Sequence, residues 1–260
     1  MTILLLKLTI TPAVIVAATL AARRFGPAVG GWLIGLPVTA GPVVLFLALD
    51  HGAVFARHVA LGIVAGVSGL VAFVFGYVVV ALRGHGWPAS LAVATAAFAL
   101  MGLVFDVARP PLAVLLTCGL VALAAGLKLV PAGVPGRTRT PAPWDLPVRI
   151  VLATCLVLAI TGLASQLGPT LSGIVTTYPL LSTLLAVFAH YAGGEAAAVA
   201  VYRGFLVGLF AMMGFACTLA LVLSHIPIAA AFALALALTL SIQAGSLKML
   251  RRGSPIGAVA

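Results

Sequence analysis

Apolar residues fill nine long stretches of this chain: 3–22, 27–49, 55–82, 88–107, 110–129, 147–165, 169–191, 197–223 and 226–247. Short turns between them hold most of the charges. Each stretch is close to the ~20 residues an α-helix needs to cross about 30 Å of hydrocarbon. The short alternating segments of a β-barrel are missing. The pattern predicts an all-α polytopic membrane protein with nine transmembrane helices. Pro27, Pro88 and Pro169 fall where a first helical turn is expected, and there the missing N–H costs nothing. Arg109-Pro110-Pro111 and His225-Ile226-Pro227 read as tight turns. The most polar stretch, 131–146, is rich in proline and reads as a semi-extended cytoplasmic linker between residues 1–130 and 147–260.

The two parts repeat each other. Shifted by 142 residues and without a gap, Gly26-Pro27 meets Gly168-Pro169, Gly31 meets Gly173, Pro37 meets Pro179 and Phe46 meets Phe188. The match continues through Gly52/Gly194, Ala56/Ala198, Val59/Val201, Gly62/Gly204, Gly66/Gly208 and Phe73/Phe215, eleven identities in 48 positions. They are concentrated in Gly and Pro, the residues that shape a backbone. Five crossings separate equivalent positions, so the copies lie upside down relative to each other. Inverted repeats of this kind are common among secondary transporters. Here the first copy has five helices and the second four, which resembles five-plus-five transporter topologies without the last helix.

Composition supports the membrane reading. Hydrophobic residues are 63% of the chain and charged ones 7%, against about 25% charged in a soluble domain. The net charge of +10 does not indicate nucleic acid, because the basic residues sit at span ends without a patch of interleaved aromatics. Arg23, Arg24, Arg83, Lys128, Arg137, Arg139, Arg149, Lys248, Arg251 and Arg252 fall on one side, with Arg57 and Arg109 on the other. Cytoplasmic loops are enriched in Lys and Arg, so the N-terminus is expected outside and the C-terminus inside. Arg23-Arg24 follows the first apolar run, as in a retained first helix rather than a cleaved signal. Cys118, Cys155 and Cys217 lie inside apolar runs with no ligand spacing and no disulfide pattern. No metal or cofactor is expected.

The candidate chemistry lies at Pro37 and Pro179, each near the middle of its span. An interior proline removes a backbone hydrogen bond and displaces the carbonyl four residues back, here Leu33 and Val175. In hydrocarbon such carbonyls persist only where protein or a wet cavity satisfies them. A single such proline is best explained as a packing kink; a symmetry-related pair is better explained as a binding site. The flanks differ. Gly30, Gly31, Gly35, Thr39, Ala40 and Gly41 surround Pro37, while Thr170, Ser172, Thr176, Thr177, Tyr178, Ser182 and Thr183 surround Pro179. Positions 172, 176, 179 and 183 share one helical face, and their equivalents are 30, 34, 37 and 41. Hydroxyls bonding their own helix would explain any one of these residues, but not the crowding.

Gly62-xxx-Gly66 and Gly204-xxx-Gly208 read as packing seams within a helical hairpin of each repeat. Asp106 and Arg109 suggest a local ion pair. Arg203, beside the Gly204 seam, needs a partner if it is more than a turn deep, either Glu195 or an anion. No carboxylate sits at mid-span, which disfavours a proton exchanger; backbone and hydroxyl oxygens would suit Na+. The chain has no H-E-x-x-H or G-x-S-x-G motif and no close carboxylate pair, and is not expected to be an enzyme.

The resulting expectation is a multi-pass inner-membrane transporter for a small polar or anionic solute, working by alternating access. Its site residues would be Pro37, Thr39, Gly41, Ser172, Thr176, Thr177, Pro179, Ser182, Thr183 and Arg203. The lipid bilayer and the solute are its partners, Na+ is the candidate coupling ion, and a homo-oligomer is compatible with the composition. The rival expectation is a membrane scaffold or complex subunit whose kinked helices only pack.

Overall fold

The computed structural model describes residues 2–37, 40–131, 146–152, 154–155 and 177–252. Eight helices are defined there: α1 (Thr2–Phe25), α2 (Pro27–Ile34), α3 (Ala40–His51), α4 (Ala53–Leu82), α5 (Trp87–Ala108), α6 (Leu112–Leu129), α7 (Leu180–Val222) and α8 (Ile228–Arg252). Residues 146–152 are helical too, and the described residues contain no strand. Among the described residues, five helices are long and apolar enough to cross a membrane: α4, α5, α6, α7 and the part of α8 from Ile228 to Leu247. An apolar helical bundle of this kind is compatible with a multi-pass membrane protein. Most of the expected linker, most of the stretch 147–165, and residues 169–176 lie outside the described residues.

Helix ends follow the local sequence. Gly26 precedes Pro27 at the start of α2, and Pro88 lies in the first turn of α5. At the end of α4, the Gly84 N–H donates to Ala81 O at 2.9 Å and His85 N–H to Val80 O at 3.4 Å. This paired closure needs a residue with positive φ, and Gly84 supplies it at +82°.

Helix α7 is not one rod. Its 43 residues would extend about 65 Å, roughly twice the hydrocarbon thickness. The chain turns at Gly194 (φ 78°, ψ −174°), dividing the helix into segments 180–193 and 195–222. Gly52, between α3 and α4, adopts nearly the same conformation (φ 85°, ψ 168°). That region of backbone space is essentially closed to residues with a Cβ. The two glycines are equivalent in the 142-residue alignment.

The core is built around α4 and the second segment of α7, whose inner faces are fully buried; α5, α6 and α8 pack around them and keep most of their apolar surface exposed. Short helix α2 lies directly on α7. A Cβ on Gly31 would fall on the Val201 carbonyl, and one on Gly204 would fall on the Ala28 carbonyl. One on Gly35 would come within 2.5 Å of Gly208 Cα. Only glycine lets the two backbones touch. The expected location of the seam is therefore corrected. Gly204-xxx-Gly208 packs on α2, from the other end of the chain, rather than within its own hairpin. Gly66 likewise faces Thr177, with 3.1 Å between an added Cβ and Cγ2. Gly62 is exposed and an added Cβ there would meet no atom within 4 Å, so small-residue spacing marks a contact at Gly66 but not at Gly62.

Candidate functional site

The apolar run 27–49 is interrupted where Pro37 stands. Helix α2 ends at Ile34 and α3 begins at Ala40. Before the proline the chain tightens, and Leu36 N–H donates to Leu33 O at 3.3 Å. The carbonyl of Leu33 is thus satisfied locally, contrary to the sequence expectation. The next carbonyl back is satisfied from elsewhere: Gln243 Nε2, on α8, donates to Trp32 O at 3.1 Å. Trp32 Nε1 donates to Ser246 Oγ at 2.9 Å, and Ser246 Oγ donates to Gln243 O at 2.9 Å. Beyond the break, Gly41 N–H donates to Pro37 O at 2.8 Å. A Cβ on Gly41 would sit 3.4 Å from the Phe215 ring.

The second interruption is at Pro179. Its φ of −80° and ψ of 57° form an inverse γ-turn, closed by Leu180 N–H donating to Tyr178 O at 2.8 Å. Thr183 N–H donates to Pro179 O at 2.9 Å, the counterpart of the Gly41–Pro37 bond at the equivalent position. Ser182 Oγ also donates to Pro179 O, at 3.0 Å. Ser182 is therefore occupied by its own helix. Thr183 is different: its Oγ1 is buried and makes no bond to its own helix. It lies beside the hydroxyl of Tyr202, on the second segment of α7, which is also buried, and the two hydroxyls face each other.

Aromatic side chains from three helices enclose this region. The Tyr178 hydroxyl is 2.9 Å from Thr95 Oγ1 on α5, and its ring meets those of Phe73 and Phe98 edge to face. The Tyr77 ring lies 4.8 Å from that of Tyr202. The Tyr77 hydroxyl is 3.0 Å from His190 Nδ1. Either partner can donate in the last pair, depending on the imidazole tautomer.

Of the sequence candidates, Pro37 and Gly41 lie at the first break, and Thr177, Pro179, Ser182 and Thr183 at the second. Thr39, Ser172 and Thr176 lie outside the described residues, as does Val175. Arg203 is half-buried and is not paired with Glu195. Its Nη1 donates to Leu127 O at 3.1 Å and also to Val130 O. These are carbonyls at the C-terminal end of α6, where a cation satisfies unpaired oxygens and complements the helix dipole. Arg57 does the same for α7, with Nε donating to Ala220 O at 3.0 Å. The expected Asp106–Arg109 ion pair is instead a bond from Arg109 Nε to the backbone oxygen of Asp106 at 3.3 Å. Among the described residues, no group of three or more His, Cys, Asp or Glu side chains could hold a metal ion.

Gln243, Trp32, Tyr77 and Tyr202 were not singled out from sequence. Gln243 did carry a signal, as a side-chain amide in the middle of an apolar span. No protein family, curated protein or solved structure matches this chain.

Proposed function

We propose that this chain is a small inner-membrane transporter with nine spans, N-terminus outside and C-terminus inside. Two inverted halves would move about the broken helices at Pro37 and Pro179. The observation carrying this reading is the pair of chain interruptions at alignment-equivalent positions. The buried hydroxyls of Thr183 and Tyr202 lie together beside the second of them. Broken helices facing a repeat interface are a recurrent way of presenting backbone and hydroxyl groups to a solute within the bilayer.

Two further relationships support the repeat. Gly52 and Gly194 share one rare backbone conformation. In addition, Gly208 packs on Gly35 while Gly66 packs on Thr177. Adding 142 to 66 gives 208, and subtracting it from 177 gives 35, so the second contact is the first with the halves exchanged.

The transport reading is tested by reconstituting the protein in liposomes and measuring uptake of a panel of small polar solutes. Uptake by the parent that falls about tenfold or more in Pro37→Ala and Pro179→Ala, with both variants folded, is the expected result. Full activity in both variants would place transport elsewhere. No uptake at all would favour the scaffold reading. Orientation is tested separately with single cysteines. Those at Gly52 and Ala108 should react with an impermeant reagent from outside, and those at Gly84 and Thr138 should not. Labelling of position 138 from outside would reverse the topology and remove the inverted-repeat argument.

A further inference from the structure

We propose that His190 is a proton-binding site and that the coupling ion is the proton rather than Na+; this rests on the transport reading of the second break and names what drives it. His190 lies in the first segment of α7, four residues before the turn at Gly194 and seven after Thr183. It is half-buried, and the exposed Glu195 stands just beyond the turn. At 1.5 Å per residue the imidazole is about 6 Å along the helix from the turn and about 10 Å from Thr183. It therefore stands between the end of the segment and the break at Pro179.

Contacts run from His190 toward that break. Its Nδ1 is 3.0 Å from the Tyr77 hydroxyl on α4, and the two rings meet edge to face. The Tyr77 ring packs 4.8 Å from that of Tyr202, whose hydroxyl faces that of Thr183. The Thr183 N–H in turn donates to Pro179 O at 2.9 Å. Both tyrosines are fully buried, so a half-exposed imidazole is linked through buried polar side chains to the break itself.

Imidazole is the side chain whose charge changes between about pH 5 and 8 without special surroundings. The neutral ring meets Tyr77 as donor or as acceptor, whereas the imidazolium can only donate. A proton from water adds to the lone pair of the unprotonated ring nitrogen. Nδ1 then has to donate to Tyr77, and the Tyr77 hydrogen has to turn to another acceptor. Return of the proton to water reverses the change. Among the described residues, Glu195 is the charged group whose field reaches His190, and it favours the imidazolium. Tyr77 faces the ring from α4 with Tyr202 behind it, and both are neutral phenols in this range. Arg203 is engaged with the end of α6, and Arg149 stands 4.6 Å above the Phe188 ring. A ring nitrogen takes up a proton, whereas hard metal cations are held by oxygen.

The test uses proteoliposomes and labelled xylitol, sulfate and choline, under an imposed pH gradient of either sense or an imposed Na+ gradient. At least one probe should accumulate about tenfold per pH unit in one sense of the gradient, as one proton per solute requires, and should ignore Na+. His190→Gln keeps a hydrogen-bonding group beside Tyr77 but cannot titrate. It should abolish accumulation and leave equilibration of the same probe in place. Tyr77→Phe should also abolish accumulation, while His190 still titrates. Nitrogen NMR of histidine-labelled protein in nanodiscs reads the site without any solute. The signal missing from His190→Gln should titrate between about pH 5 and 8, and Glu195→Gln should move its midpoint to more acid pH. Four results would each overturn this inference and leave the transporter reading standing: a His190 signal constant over that range, accumulation driven by Na+ and not by pH, equilibration that ignores both gradients, or accumulation unchanged in His190→Gln. Uptake of none of the probes would overturn both.

Discussion

Gln243 donates its side-chain amide to the carbonyl of Trp32 across 211 residues of chain. This bond closes the gap that the break before Pro37 opens in α2, and ties the last helix to the second. Gln243→Leu removes the donor and leaves a carbonyl without a partner in an apolar setting. The expected loss is about 1 kcal/mol, typical of interhelical hydrogen bonds in membranes, read as a lower unfolding midpoint in detergent. An unchanged midpoint would mean that Trp32 O finds another donor.

The α2–α7 seam makes a sharper prediction. Gly35→Ala and Gly208→Ala each place a methyl against backbone, 2.5 Å from the nearest atom in either case. Backbone cannot rotate aside, so each should destabilise by about 1–3 kcal/mol. Gly245→Ala is the control, because no atom lies within 4 Å of its added Cβ. It should be neutral or stabilise by up to about 1 kcal/mol, since alanine is the better helix former. Thermal unfolding of the three variants side by side checks this.

Gly52 and Gly194 should behave as a pair. In neither case does an added Cβ meet an atom within 4 Å, but both hold a positive φ with ψ near 180°. Alanine at either site should therefore cost about 1–3 kcal/mol through backbone strain alone. Unequal losses would indicate that the matching conformations are not under the same constraint.

The sequence carried the fold further than the site. Helix starts were legible because Pro27, Pro88 and Pro111 act locally, through a fixed φ and a missing N–H. The break at Pro37 was legible for the same reason. What Trp32 bonds to was not, because its partner lies on α8 and no local rule connects residues 32 and 243. Arg203 illustrates the same limit. Its depth called for a partner, but the carbonyls of Leu127 and Val130 are backbone groups that any sequence would possess. The Tyr77–Tyr202 contact also escaped notice, since each tyrosine alone looks like an ordinary core aromatic.

Arg203 now has a structural assignment that can be measured. Arg203→Gln should weaken the anchoring of α6 and cost about 0.3–2 kcal/mol, with Arg203→Lys recovering part of it because a point charge still faces the carbonyls. Solute selectivity should remain that of the parent. A variant of parental stability that loses uptake would return Arg203 to the solute site.

Alternating access is tested most directly at Thr183, whose buried side chain lies beside the second break. A single cysteine there, in protein with Cys118, Cys155 and Cys217 replaced by alanine, would be exposed to an impermeant thiol reagent from each face of sealed vesicles in separate experiments. The account predicts labelling from both faces, with protection by a transported solute. Labelling from neither face, or from one face under every condition, would contradict it.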